Sequence, residues 1–386
     1  MDSYPDEIVT IMLLKLPVES ILRCRSVCKS WCKIIDNPHF VKLHFNTSKP
    51  KFGNTSSLLL LPNSSDVKEL YIAKAEDANL SGTHLKTTLI EISCNRNSCN
   101  IAEPSVNGLL LIHPLSGCPF DIENICSLYI YNPATRDSVK LPNINPLLRC
   151  QATRVWGFGF DAISNEFKVV QISTYLGVGS KSNDTKSEVH VYSLGTNSWR
   201  NVGKAPDLTF MNDLSAFVNG SSHWLAGSED SVNPLFFTDI VSFDFSSEEF
   251  GVIPIPEFGR VPDAWDCELT VFGECLSVVE TSFHHHIDIW VMKDYNVKES
   301  WIRYSITKYY MGHYSWFAQV ISLREDSEIV LLLDGSKLAS YNFVSKRFTS
   351  FEVDGFPGYS LQGGCSRRCY QVCSFVESLF SLKAAV

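Results

Sequence analysis

The segment EVHVYSLGTNSWRNV, residues 188–202, decides how most of this chain folds. It reads as a strand, a polar turn centred near Gly195, and a second strand with aromatic and aliphatic residues. The same unit recurs as SLLLLPNSSDVKELYIA (57–73), LYIYNPATRDSVKLP (128–142), DIVSFDFSSEEFGVIPIP (239–256), IDIWVMKDYNVKESWIRYSI (287–306) and KLASYNFVSKRFTSFEV (337–353).

Between these hairpins lie further strand-like runs: VNGLLLIHP (106–114), WGFGFDAISNEFKVVQIS (156–173), AFVNGSSHWLA (216–226), LTVFGECLSVVE (269–280) and EIVLLLDG (328–335). About four strands then belong to each unit, the content of a propeller blade. The later turn centres repeat at ~50 residues, a kelch-type blade period. The first two intervals are longer, which leaves room for an extra blade or for loops such as Asp77 to Thr88. A flat sheet of so many strands would expose long pairing edges, and radial repetition avoids this. The sequence therefore predicts a mainly β chain with a C-terminal propeller of six or seven blades. The tail SFVESLFSL (374–382) is expected to be a strand that pairs with the early strands and closes the ring.

The start of the chain is different. Tyr4 to Phe45 reads YPDEIVTIMLLKLPVESILRCRSVCKSWCKIIDNPHFVKLHF. Pro5 suits a first helical turn, with Ser3 and Asp6 in a capping arrangement. Ile8, Val9, Met12 and Leu13 recur at helical spacing, and Leu16-Pro17 ends that helix. Ile21, Leu22, Cys24, Val27, Cys28, Trp31, Ile34 and Ile35 form a second apolar stripe. Asp36-Asn37-Pro38 is a stop, and His39 to Phe45 reads as a last short helix. About forty residues rarely hold themselves together alone. The stripe is thus covered either by another protein or by the larger domain.

These residues carry a resemblance. P-D-E-I-V, L-P-V-E-S-I-L-R-C-R-S-V-C-K-S-W and N-P-H-F resemble an F-box in the form common in plants, with Tyr4 standing where the family usually has Leu. The resemblance implies docking to the Skp-type adaptor of a cullin-based SCF ubiquitin ligase. It would act through Pro5, Ile8, Val9, Leu13, Leu16, Pro17, Ile21, Leu22, Cys24, Val27, Cys28 and Trp31. Trp31 either meets the adaptor or fills the small helical core. The later repeats N-G-L-L-L-I, Y-N-P-A-T-R-D, G-F-G-F-D-A-I-S-N-E-F-K-V-V, V-Y-S-L-G-T-N-S-W-R and I-W-V-M-K-D-Y-N-V-K-E-S-W resemble the plant F-box-associated domain of the F-box/kelch-repeat type. Val106 stands where that family often has Cys, and the double glycine of true kelch repeats is missing from most units. The domain boundaries expected are 1–45 for the F-box, 46–56 for a connector and 57–386 for the propeller. The function implied is that of a non-catalytic substrate receptor, linked through the adaptor to a cullin and a RING subunit. A scaffold without ubiquitin transfer and a propeller enzyme with a helical cap are the alternatives.

Composition limits the partners. Of 386 residues 45% are hydrophobic, and the net charge is -9. The first 45 residues are nearly neutral, so the deficit lies in the rest. With no basic run longer than Arg367-Arg368, nucleic acid is not an expected partner. No apolar run approaches the ~20 residues of a membrane span. The thirteen cysteines form no framework, and MDSYPDE lacks the features of a signal peptide. Both point to free thiols and a cytoplasmic or nuclear setting.

The residue patterns favour recognition over catalysis. The glycines of GFGF (157–160) alternate with Phe in a strand and do not form a dinucleotide loop. Adjacent residues of His284-His285-His286 would point to opposite sides of a strand, so an exposed hairpin tip is expected rather than zinc. Cys24, Cys28 and Cys32, like Cys365, Cys369 and Cys373, are read as free thiols. No cofactor or metal is expected. YYMGHYSWF (309–317) offers Tyr310, His313, Tyr314 and Trp316 as candidate target-binding residues, with blade core as the alternative. TYLGVGSKSNDTKS (174–187) reads as a long polar loop.

Overall fold

The structure is a computed structural model that describes residues 5–48, 57–62, 69–74, 84–91, 99–101, 105–114, 128–144, 152–175, 186–206, 208–210, 215–228, 237–258, 266–281, 286–307, 318–324, 328–333, 337–354 and 370–382. Four helices come first: α1 (Asp6–Leu13), α2 (Val18–Cys24), α3 (Lys29–Ile35) and α4 (Pro38–Ser48). The second apolar stripe is two helices, not one. Cys28 between them is extended, at φ -158° and ψ 166°, and its Sγ accepts the Trp31 amide at 3.5 Å. The last helix runs beyond Phe45 to Ser48, three residues into the expected connector.

After these four helices the described residues are mainly strands and turns, with one 3-10 turn at Lys298–Ser300 and an extended run after the last strand. Blade 1 holds β1 (Ser57–Pro62), β2 (Glu69–Lys74) and β3 (His84–Glu91). Blade 2 holds β4 (Cys99–Ile101), β5 (Leu110–Pro114), β6 (Tyr129–Asn132) and β7 (Asp137–Lys140). Blade 3 is β8 (Ala152–Asp161), β9 (Glu166–Tyr175), β10 (Lys186–Ser193) and β11 (Ser198–Gly203). Blade 4 splits its first strand into β12 (Leu208–Phe210) and β13 (Ala216–Val218), both paired with β14 (Ser221–Ser228), followed by β15 (Asp239–Asp244) and β16 (Phe250–Ile253). Blade 5 is β17 (Cys267–Phe272), β18 (Cys275–Glu280), β19 (His286–Met292) and β20 (Trp301–Thr307). Blade 6 is β21 (Ala318–Arg324), β22 (Glu328–Leu333), β23 (Lys337–Asn342) and β24 (Arg347–Asp354). The final strand, β25 (Tyr370–Phe375), returns to blade 1 and pairs antiparallel with β1 from Ser57↔Phe375 to Pro62↔Tyr370.

The blade count among the described residues is thus six, and the ring closes by adding the last strand to the first blade. Among the described residues the long first repeat interval holds no seventh blade. It arises because the hairpin β1–β2 supplies the second and third strands of its blade, whereas the other five hairpins are third and fourth strands. The tail is strand only to Phe375. Outer strands β24 and β3 also pair in parallel from Glu352↔His84 to Asp354↔Lys86, so blades 6 and 1 cover each other's edges.

Period-two alternation builds the ring. Leu59 and Leu61 pack with blade 2, while Leu58 and Leu60 pack with blade 6. Likewise Val169 and Tyr192 enter the core shared with blade 2, and Val170 and Val191 the core shared with blade 4. Every blade has both faces covered, and each of the six blade–blade seams is one apolar cluster. This is why strands such as Leu58–Leu61 are apolar without a polar face. The glycines of GFGF serve this packing: a Cβ on Gly159 would collide with the Phe245 and Phe217 rings of blade 4.

The turns repeat too. Asn132, Asp161, Asp244 and Asn342 each accept the amides two and three residues on with Oδ1. The fourth residue on, Arg136, Asn165, Glu248 or Lys346, then takes positive φ. Because neighbouring strands run antiparallel, all these turns lie on one face of the ring. The helical domain sits on that same face: Lys42 Nζ lies 3.4 Å from Asn165 Oδ1, and Ala134 packs against the helical core.

Candidate docking surface

Helix α1 is apolar on two sides. Val9 and Leu13, four residues apart, are buried with Val18, Ile21, Ile35, Phe40 and Val41 in the helical core. Ile8, Ile11 and Met12 are 45, 54 and 57% exposed and follow the same three-and-four spacing on the outside. Val27, in the turn before α3, is 62% exposed. Large exposed apolar side chains are more concentrated in the helices than in the propeller: Leu43 adds a fifth, against six across all the described blades. A helix apolar on two sides calls for cover on both, and among the described residues the outer side with Ile8, Ile11 and Met12 is left exposed.

The residues singled out in the sequence divide three ways. Val9, Leu13 and Ile21 are inside the helical core. Leu16, Leu22, Cys24 and Trp31 are half-buried at its edge. Pro5, Ile8, Pro17, Val27 and Cys28 are outside. Pro5 and Pro17 are the N-caps of α1 and α2. Trp31 packs against the core while keeping part of its ring exposed. Ile11 and Met12 were not among the twelve. Met12 belonged to the apolar stripe already, and Ile11 lies three residues after Ile8, so the helical period carried the signal for both.

Local bonds fix the loops that present this surface. His44 is buried and its Nε2 lies 2.9 Å from the carbonyl of Leu16, holding the α1–α2 turn against α4. Arg25, at the end of α2, binds Asp36, at the end of α3, at 2.8 Å, and the hydrogen bond to Asp36 raises the guanidinium pKa further. Cys32 Sγ lies 3.3 Å from Asp36. Cys24, Cys28 and Cys32 are free thiols, and no group of three metal-binding side chains occurs among the described residues.

On the propeller, β20 ends and β21 begins on the face opposite the helices. Tyr310, His313, Tyr314 and Trp316 fall in the segment between them and lie outside the described residues, as do His284, His285, Cys365 and Cys369. His286, at the start of β19, is exposed.

Sequence comparison agrees with this architecture. Residues 57–379 match the F-box associated beta propeller domain, and residues 5–43 match the F-box domain. The chain is 29% identical to F-box protein At3g07870 of Arabidopsis thaliana, with 93% of this chain and 89% of that one aligned. It is 25% identical to F-box protein CPR1 of the same plant, over 92% of this chain and 86% of the relative. F-box/kelch-repeat protein At3g23880, also from Arabidopsis thaliana, is 26% identical over 90% of this chain and 89% of its own length.

Proposed function

The chain belongs to the F-box associated beta propeller family and carries an F-box ahead of the propeller, and on that premise we propose that it is a substrate receptor of an SCF ubiquitin ligase. The F-box docks on a Skp-type adaptor, which connects it to a cullin and a RING subunit. The propeller holds a target protein, whose lysines are thereby kept near a ubiquitin-charged enzyme. The observation that carries this reading is the outward stripe Ile8, Ile11 and Met12 with Val27, in the domain that matches the F-box. Pro5, Pro17 and Cys28 frame it, and Leu16, Leu22, Cys24 and Trp31 present their exposed edges to the same partner.

The role needs no catalytic residue or cofactor. Bond making belongs to the partner enzymes, and this chain contributes local concentration and orientation. We place the target on the face opposite the F-box, beside the strand ends that flank Tyr310, His313, Tyr314 and Trp316. We place the complex in the cytoplasm or nucleus.

The test is reconstitution of the full chain with a plant Skp-type adaptor, cullin, RING subunit, charging enzymes and ubiquitin. Assembly with ubiquitin transfer onto bound protein or onto this chain supports the receptor. Assembly without any transfer favours the scaffold, and turnover by the chain alone favours the propeller enzyme.

A further inference from the structure

After β25 the chain does not leave the ring. Val376 to Leu382 runs along the face that carries the F-box and is tied at several points. Glu377 pairs with Lys74, the last residue of β2, at 2.9 Å. Asn132, wholly buried at the end of β6, donates from Nδ2 to the Ser378 carbonyl at 3.1 Å and to the Phe380 carbonyl at 2.8 Å. Gly108 lets the segment come close: its φ is +79°, and a Cβ there would stand 2.6 Å from Ser378 Cβ and 2.7 Å from the Val376 carbonyl oxygen. Leu382 ends the run, buried in the seam between blades 2 and 3.

Between these ties the side chains serve the other domain. Leu379 is buried in the F-box core beside Val9, Leu13, Ile21 and Phe40. The Phe380 ring meets Phe45 of α4 edge-on at 6.0 Å and Phe167 of blade 3 edge-on at 5.3 Å, with Phe160 at 6.4 Å. The F-box core is therefore completed from the opposite end of the chain. That end is itself fastened to blades 1, 2 and 3.

We propose that Val376–Leu382 is a brace that fixes the angle between the F-box and the propeller, with Leu379 and Phe380 as positioning residues for ubiquitin transfer. A covalent connection sets only how far two domains can part, whereas a packed wedge sets how they face each other. A fixed angle presents the same lysines to the charged enzyme in each encounter, and small misplacements lower transfer rates steeply. The brace itself is a matter of packing. Its role in transfer rests on the receptor reading above.

The test uses the full chain, alone and with a Skp-type adaptor. The variants are Leu379→Ser with Phe380→Ser, and, from the F-box side, Phe45→Ala, which leaves the propeller untouched. Small-angle scattering reads the domain arrangement, and mass spectrometry maps the self-ubiquitinated lysines in the reconstituted ligase. For variants whose propeller melts within about 3 °C of the parent, the maximum dimension is expected to grow by on the order of 10 Å, the reach of a short connector. Modification is expected to spread from a few lysines to many. Unchanged scattering in both variants overturns the brace. Widened scattering with an unchanged lysine pattern overturns its role in positioning. If the intact chain fails to bind the adaptor, the receptor reading fails, while scattering still decides the brace.

Discussion

Lys168 is a charged side chain that the ring has taken inside. Its Nζ donates to Asp161 at 2.9 Å, to the Phe245 carbonyl at 2.8 Å and to Glu248 at 3.0 Å, so all three of its donors are used. Arg200 joins through Glu248, and Ser246 Oγ donates to Asp161 at 2.7 Å. Burial favours the neutral acid of Asp161, yet hydrogen bonds from Ser164, Lys168, Ser246 and the Ile163 amide outweigh it and hold the carboxyl well below the usual range. A depressed carboxylate contributes stability above its unfolded pKa of about 4 and loses it only as pH falls further. Replacing Lys168 with Met should leave two carboxylates facing each other's seam. It should cost about 3 kcal/mol in urea unfolding at neutral pH, and a cost below the error of that measurement would remove the network from the account.

His223 behaves in the same sense at milder acidity. Its Nδ1–H faces the Ala216 carbonyl at 2.9 Å, and its Nε2 receives the Tyr295 hydroxyl at 2.8 Å, joining blades 4 and 5. Burial pushes its pKa down to about 4. The unfolded chain protonates first, near pH 6.5, so this contribution is complete above that value and is lost on the way down to about 4. The loss should be on the order of 3 kcal/mol. A His223→Gln variant should show a shallower fall in melting temperature between those pH values, and parallel curves would count against this assignment. Neither residue announced itself in the sequence, because a buried Lys or His looks like a surface one until its partners, up to eighty positions away, are placed beside it.

At the scale of elements, the hairpins were legible because polar turns separate their paired strands, and those at Asn132, Asp244 and Asn342 carry an Asx residue and then a left-handed residue four later. The phase of the first hairpin was not, since nothing within β1 or β2 reveals that its inner neighbour comes from the end of the chain. For the same reason the tail read as one strand. Its alternation continues past Phe375, but Asn132 takes the carbonyls of Ser378 and Phe380 that a ladder would have used. Removing residues 370–386 should expose β1 as an inner edge and strip Leu379 from the F-box. Melting should drop by more than about 10 °C, or the product should be insoluble. An unchanged melting curve would show that the ring does not depend on that closure. The break at Cys28 was hidden by an apolar stripe that continues across it, whereas the Leu16-Pro17 break was declared by proline.

For the whole molecule, six seams of apolar contact make a rigid ring, and a seventh apolar cluster joins the helical domain to one face of it. The other face is left to the strand ends that flank the aromatic segment of residues 309–317. Sequence pattern reached this architecture because both periods, two and 3.6, are strong here. It did not separate the F-box residues that face inward from those that face outward, since Val9 and Met12 look alike until α1 is packed. That separation makes the central claim testable in one titration: the intact chain and its Ile8→Ser, Met12→Ser double variant against a purified plant Skp-type adaptor, by calorimetry. A one-to-one complex is expected with the intact chain, weakened at least about tenfold in the variant while its melting temperature stays the same. No binding by the intact chain, or equal binding by both, would contradict it.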